Sequence, residues 1–224
     1  MTKIRVLSYN LHGLKDDRRA LVAAVRAAAP DVAILQEAPR RLRWRQRCAD
    51  IARDFELVIG GGGLPALGNL ILTNLRVRAV TESNVRYPLT PGRHMRGAAF
   101  VRCRVGRAAF VAAGSHLSVD ATERPAQAEV LKRHLTGFAE PVVFAGDLNE
   151  NSGGAAWRMI ADGLTDAAGA DDRPTFPVRA ARERLDAIFV DPRIAVLQYD
   201  VIDTPQTRAA SDHFPVVADL ELDA

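Results

Sequence analysis

The sequence predicts an α/β sandwich, two sheets face to face with helices on the outside. Three observations point there. Short apolar runs of strand length recur through all 224 residues. Some follow each other closely enough to be hairpins, as at 98–105 and 108–116, while others are separated by helical patterns. The two kinds of connection are interleaved, which a strictly alternating parallel sheet would not show.

Taken in order, "IRVLSYN" (4–10) reads as a strand with a polar end. "DDRRALVAAVRAAAP" places Leu21, Val22, Val25 and Ala28 at helical spacing, and Pro30 stops the helix. "DVAILQE" (31–37) is a buried-strand run with another polar end. A helix over 39–53 and a strand at 55–59 follow, then "GGGGLPALG", read as a flexible loop because it lacks the lysine and helix context of a phosphate-cradling motif. Strands are expected at 69–73, 76–82, 98–105 and 108–116, and a helix in "TERPAQAEVLKRHLTGF" with its start signal at Thr122. A strand at 142–146, a short helix near 154–162 and strands near 185–190, 195–202 and 215–221 complete the pattern. No internal repeat or low-complexity linker marks a boundary, so one domain spanning 1–224 is expected.

At 24.3 kDa, 48% hydrophobic and 25% charged, the chain has the composition of a globular protein with a sizeable core. No apolar run reaches membrane-span length and no signal peptide precedes the first strand. Two isolated cysteines, Cys48 and Cys103, fit neither a metal spacing nor a disulfide framework. A cytoplasmic monomer is the expectation. The net charge of +3 and pI near 9.2 hint at a polyanionic partner. Lysine occurs only at Lys3, Lys15 and Lys132, however, so the basicity is arginine and reads partly as composition bias. "RRLRWRQR" (40–47) reads as a solvated helix, with a phosphate-binding rim as the alternative. Trp44 and Trp157 read as core residues.

Polar residues collect where strands end. Asn10, Glu37 and His116 each close a strand, and "FAGDLNE" puts Asp147 and Asn149 two residues apart, on one face of an extended chain. Asp186 lies within "RERLDAIFV", and Ser211, Asp212 and His213 precede the last apolar run. Each has an ordinary explanation: turn formers at Asn10, Asp147, Asn149 and Asp212, a solvated acid at Glu37, a rim histidine at His116, an Arg184 partner at Asp186. Together they form a chemical set. Asn10, Glu37 and Asp212 are hard oxygen donors suited to Mg²⁺ or Mn²⁺. His116 and His213 can donate to phosphoryl oxygens. Asp147 can orient and deprotonate water, and Asn149 can donate to a developing oxyanion.

The stretches "LSYNLHG", "DVAILQE", "GSHL", "FAGDLNE", "RLDAIF" and "SDHFPV", in that order from Asn10 to His213, resemble the endonuclease/exonuclease/phosphatase family of deoxyribonuclease-like metal phosphoesterases. The resemblance implies a four-layer α/β/β/α sandwich of two mixed sheets with the site at one sheet edge. It implies Glu37 as principal ligand of one or two Mg²⁺ or Mn²⁺ ions, with Asn10 and Asp212 contributing. It implies Asp147 as the water-orienting carboxylate, Asn149 and His116 on the scissile phosphate, and His213 on a phosphate oxygen with Asp186 fixing its tautomer. The base is either Asp147 or the His213–Asp186 pair. Of the basic residues in "TPGRHMRGAAFVRCRV", Arg96 is the expected phosphate contact, the alternative being a surface arginine at a strand start.

The function implied is metal-dependent hydrolysis of a phosphodiester by in-line attack of water, most plausibly in DNA or RNA. The alternatives are a phosphatase or phosphodiesterase of a small phosphorylated metabolite or lipid head group, which short connections and few aromatics would suit, and an inactive binding module that kept the fold.

Overall fold

A computed structural model describes residues 1–223 of the protein. Chain order runs β1 (Thr2–Asn10), α1 (Arg18–Ala28), β2 (Val32–Gln36), α2 (Trp44–Asp54), β3 (Val58–Gly63), β4 (Asn69–Thr73) and β5 (Arg78–Arg86). It continues with β6 (Gly97–Val105), β7 (Ala108–His116), α3 (Arg124–Leu135), β8 (Val142–Asp147) and α4 (Ala155–Ala161). The last elements are β9 (Thr165–Asp166), β10 (Asp186–Val190), β11 (Ala195–Val201), α5 (Pro205–Ala210) and β12 (Val216–Leu222).

These strands form two six-stranded sheets, ordered β11-β12-β1-β2-β4-β3 and β5-β6-β7-β8-β10-β9. Only β1·β2 and β7·β8 are parallel, each pair joined through a helix, and every other pairing is antiparallel. Both sheets are therefore mixed, as expected. The inner faces meet through Ile34, Val101, Phe110, Val143, Ile188 and Leu220, all essentially without solvent exposure. A second apolar layer, with Leu7, Leu35, Leu21 and Ile51, seats α1 and α2 on the outside of the first sheet. A third, with Phe144, Phe189, Leu131 and Trp157, seats α3 and α4 on the outside of the second. Four layers in the order α/β/β/α result. Burying a side chain as large as Phe144 contributes about 1.5–3 kcal/mol, so three such layers hold the strand ends in fixed positions. Among the described residues, no helix is long and apolar enough to cross a membrane.

Several local expectations need correction. The glycine run is not a loop: Gly60 to Gly63 belong to β3, the edge strand, and only 64–68 turn. Gly63 has φ +82°, and a Cβ there would lie 2.5 Å from the Trp44 ring, so glycine is what lets the edge strand slide beneath that indole. The second helix starts at Trp44, not 39, leaving Arg40 to Arg43 in the turn before it. Thr122 does not start α3. Its N–H and hydroxyl turn back to Asp120 Oδ1, at 2.9 and 2.7 Å, and the helix begins at Arg124 with Pro125 in its first turn. Helix α5 was unforeseen, although Thr204 caps it through Thr207 and Pro205 opens it. Trp157 is buried and Trp44 packs on the outer layer, as expected of both.

Candidate active site

The two parallel pairs end at the same edge of the sandwich. In β1·β2, Asn10 lies opposite Gln36, and Leu11 N–H donates to Gln36 O at 3.0 Å, so Glu37 emerges beside Asn10. In β7·β8, His116 lies opposite Asp147, and β10 pairs antiparallel to β8 so that Asp186 faces Asp147 from the other side. Gly146 makes the close β7·β8 approach possible: a Cβ there would stand 2.1 Å from Ser115 O. Glu37 and Asn149 both adopt left-handed backbone conformations, at φ +54° and +48°. Asparagine tolerates that region well and glutamate poorly, so local strain aims the Glu37 side chain.

Asp147 is the hub. It is buried, its Oδ1 accepts from Asn149 N–H and its Oδ2 from Asn10 Nδ2, both at 2.9 Å. Oδ2 also lies 3.3 Å from His116 Nε2 and 3.7 Å from His213 Nε2. Arg96 Nη1 approaches His116 Nδ1 at 3.0 Å. A guanidinium only donates, so Nδ1 accepts and the ring proton sits on Nε2, toward Asp147. Asn149 Nδ2 donates to Leu117 O at 3.0 Å and also lies 2.8 Å from His116 Nε2. Two donors thus face one another without an acceptor between them. An anionic oxygen would relieve this surplus, which Arg96 and His213 enlarge.

The two histidines are held in opposite charge states. Burial dominates at His116 and, with Arg96 and His213 nearby, pushes it down to about 3 despite the Asp147 carboxylate. At His213 burial also opposes charge, but Asp186 and then Asp147 outweigh it and raise it to about 10. Its Nδ1 donates to Asp186 Oδ2 at 2.8 Å, and its ring lies against Phe176 with centroids 4.6 Å apart. Burial likewise moves Arg96 down from the usual arginine value, against the pull of Asp147 and Glu37.

Two acidic groupings bear on metal binding. Asp147, Asp186 and His213 bring ligand atoms within 4.8 Å of one another. Both His213 nitrogens face carboxylates there, Nδ1 hydrogen-bonded to Asp186 Oδ2 at 2.8 Å and Nε2 3.7 Å from Asp147 Oδ2, which suits a protonated imidazole and not a cage with a free lone pair. Glu37 is different. It is half-buried, and among the described residues no ion pair or hydrogen bond engages its carboxylate. A Cβ on the neighbouring Gly13, itself at φ +62°, would lie 3.9 Å from Glu37 Oε2. Asn10 Oδ1 accepts from His12 N–H at 3.0 Å and keeps a second lone pair, and Ser211 Oγ links Asn10 O, at 2.7 Å, to the loop carrying the half-exposed Asp212. An unengaged carboxylate, an amide oxygen and a second carboxylate beside a small residue fit a hard divalent cation.

All nine residues singled out in the sequence lie at or beside this edge. Arg96 is nearly buried against His116, not a surface arginine, and Arg184 pairs with Asp166 at 2.8 Å, not with Asp186. Sequence reasoning missed His12, whose Nδ1 sits 2.6 Å from Asp16 and whose Nε2 lies 3.6 Å from Asp212. It also missed Phe176, which backs His213. The "NLHG" turn pointed to the first, and nothing in the sequence pointed to the second.

A sandwich with this edge defines a hydrolase of phosphoester bonds. The chain belongs to the endonuclease/exonuclease/phosphatase family, whose sequence model matches residues 7–213. No curated protein sequence matches it. Similar solved structures include D. rerio TDP2 complexed with a single-strand DNA product, at 20% identity and TM-score 0.76, with 99% of this chain and 100% of that one covered. A mannosyl-6-phosphatase of Bacteroides thetaiotaomicron is similar at 17% identity and TM-score 0.76, over 98% and 100% of the two chains. The human Nocturnin catalytic domain with bound sulfate is similar at 19% and 0.75, over 99% and 95%. At these identities the likeness is one of fold.

Proposed function

We propose that the protein is a Mg²⁺- or Mn²⁺-dependent phosphodiesterase that cleaves nucleic acid by in-line attack of water. The observation that carries this reading is the surplus of hydrogen-bond donors around the buried Asp147 carboxylate, next to an unengaged Glu37. Phosphate needs many donors, and its attacking water needs one acceptor.

In this reading Asn10, Glu37 and Asp212 hold the ion, which supplies positive charge against the phosphate oxygens. Arg96, Asn149 and the neutral His116 donate to those oxygens and orient the phosphorus. His213, kept protonated by Asp186, donates as well, which removes it as a base near neutral pH. Asp147 is then the group that accepts the water proton. Its two hydrogen bonds, from Asn10 and Asn149, fix the carboxylate in place before substrate arrives.

Incubation with single-stranded DNA, plasmid, RNA and a phosphomonoester panel in Mg²⁺ tests the proposal. Cleavage of nucleic acid that disappears in Asp147→Asn and Glu37→Gln is expected; turnover confined to monoesters would overturn it. A small-molecule monoester is the second reading, favoured by a cleft of about 370 Å³ between Glu37 and His116, large enough for a sugar.

A further inference from the structure

We propose that the cleft beside the catalytic edge is a second phosphate subsite, built by Arg40, Arg41 and Arg47, which grips the sugar-phosphate backbone of a single nucleic-acid strand beyond its scissile linkage. The inference rests on the nuclease reading and adds a place for the rest of the substrate.

Three observations carry it. Five arginines within eight residues, Arg40, Arg41, Arg43, Arg45 and Arg47, make no ion pair among the described residues, whereas Arg5, Arg18, Arg173 and Arg193 each hold a carboxylate within 2.7 Å. Arg45 is spent on the Trp44 ring, 4.5 Å from its centroid.

Second, the unpaired charges converge. Lys15, Arg40, Arg41, Arg47, His94 and Arg96 line one cleft with Glu37 and His116, and Glu37 is its single carboxylate. Arg40 also presses down the proton affinity of both Arg96 and His116, which places its charge within reach of the scissile position. So much like charge in one concavity is unfavourable until an anion enters.

Third, Arg40 is anchored. Its Nη1 donates to Leu67 O at 3.0 Å and Met95 O at 3.2 Å, bridging the turn after β3 to the loop before β6. Arg41 and Arg47 flank this fixed point and are exposed. Guanidinium forks match phosphate oxygens in pairs. No aromatic ring other than histidine lines the cleft, and Trp44 is covered by Gly63 and Arg45, so bases have nothing to stack on. Recognition there is of backbone charge, with little preference for sequence.

The test is binding, measured by fluorescence anisotropy in EDTA on the whole protein, with a fluorescein-labelled decathymidylate across a NaCl series. The comparison probe is the same decamer with uncharged methylphosphonate linkages. Arg41→Ser/Arg47→Ser is expected to raise Kd for the charged strand at least tenfold. It should also flatten the slope of log affinity against log salt by about 1.4, since each phosphate neutralised on a single strand accounts for roughly 0.7. Arg41→Lys/Arg47→Lys should restore most of the slope, because charge survives while the fork is lost. A Kd and slope within twofold of wild type, or an equal loss on the methylphosphonate strand, would overturn the subsite. Since nothing is cut in this assay, a protein that fails to hydrolyse nucleic acid but binds it as described refutes the nuclease reading alone.

Discussion

Replacing Asp147 by asparagine is the sharpest probe of the site, because it leaves shape and volume in place and changes only charge and one hydrogen-bonding atom. Asp147 accepts from Asn149 N–H on one oxygen and Asn10 Nδ2 on the other, both at 2.9 Å. Whichever way an asparagine amide is turned, its NH₂ faces one of those donors, so one buried hydrogen bond is lost. That costs about 1–3 kcal/mol of stability. For a chain of this length it lowers Tm by about 2–12 °C and leaves the protein folded. The loss in turnover is much larger. Removing a positioned base typically lowers the rate by about 10²–10⁴-fold. The substitution also takes from His213 one of the three carboxylates, Asp186, Asp147 and Asp212, that raise its proton affinity. The assay pairs kcat on an oligonucleotide in saturating Mg²⁺ with calorimetric Tm and a titration of metal affinity on the same sample. A variant that melts lower, binds metal as wild type does and keeps kcat within tenfold would refute the assignment of Asp147 as proton acceptor.

Glu37→Gln should weaken divalent-metal affinity at least tenfold by calorimetry and raise the metal needed for half-maximal rate; an unchanged titration would take Glu37 out of the ion's coordination. The two histidines predict a dome of stability against pH. His213, raised from 6.5 to about 10, contributes stability that is complete below pH 6.5 and lost as pH climbs through 10. His116, lowered from 6.5 to about 3, contributes stability that is complete above pH 6.5 and lost as pH falls toward 3. Urea melts of Asp186→Asn should therefore show a flatter alkaline side and an unaltered acid side, and a uniform drop at every pH would contradict the pairing. Gly146→Ala places a methyl 2.1 Å from Ser115 O and should destabilise by about 1–3 kcal/mol or more while spreading β7 from β8, seen as lost activity together with lowered Tm. A variant as stable as wild type would mean the two strands are not so closely apposed.

Much of the fold was legible because its layers leave plain marks in the sequence. Runs such as "DVAILQE" and "VVFAG" are apolar on both faces because their strands lie between the other sheet and a helix layer. The site was legible for a related reason: an apolar strand that stops on Asn10 or Asp147, or starts on Asp186, has no packing reason to do so. What escaped was set by contacts far apart in sequence. β3 reads as a loop because its glycines make room for Trp44 and for the facing sheet, a fact recorded in no local pattern. The arginines of 40–47 read as belonging to a solvated helix, yet Arg40 and Arg41 precede the helix and line the cleft, where Leu67 O and Met95 O hold Arg40. Arg96 had equal claims as surface or site until His116 was placed opposite it.

The strand orders carry a symmetry that the sequence hides. An outer antiparallel pair, then a strand, helix, strand, helix and closing antiparallel pair describes β11-β12 (joined through α5) followed by β1, α1, β2, α2, β3 and β4; the same order describes β5-β6 followed by β7, α3, β8, α4, β9 and β10. The sandwich is thus two copies of one topological unit. Asn10 and His116 close corresponding strands, and Glu37 and Asp147 stand at the exits of the next ones. Both copies bring polar side chains to the same edge of the sandwich, Asn10, Glu37, Asp212 and His213 from the first and His116, Asp147, Asn149 and Asp186 from the second. Thr2 pairs with Leu222, so the first copy is assembled from stretches far apart in the sequence and is completed only when β12 pairs with β1.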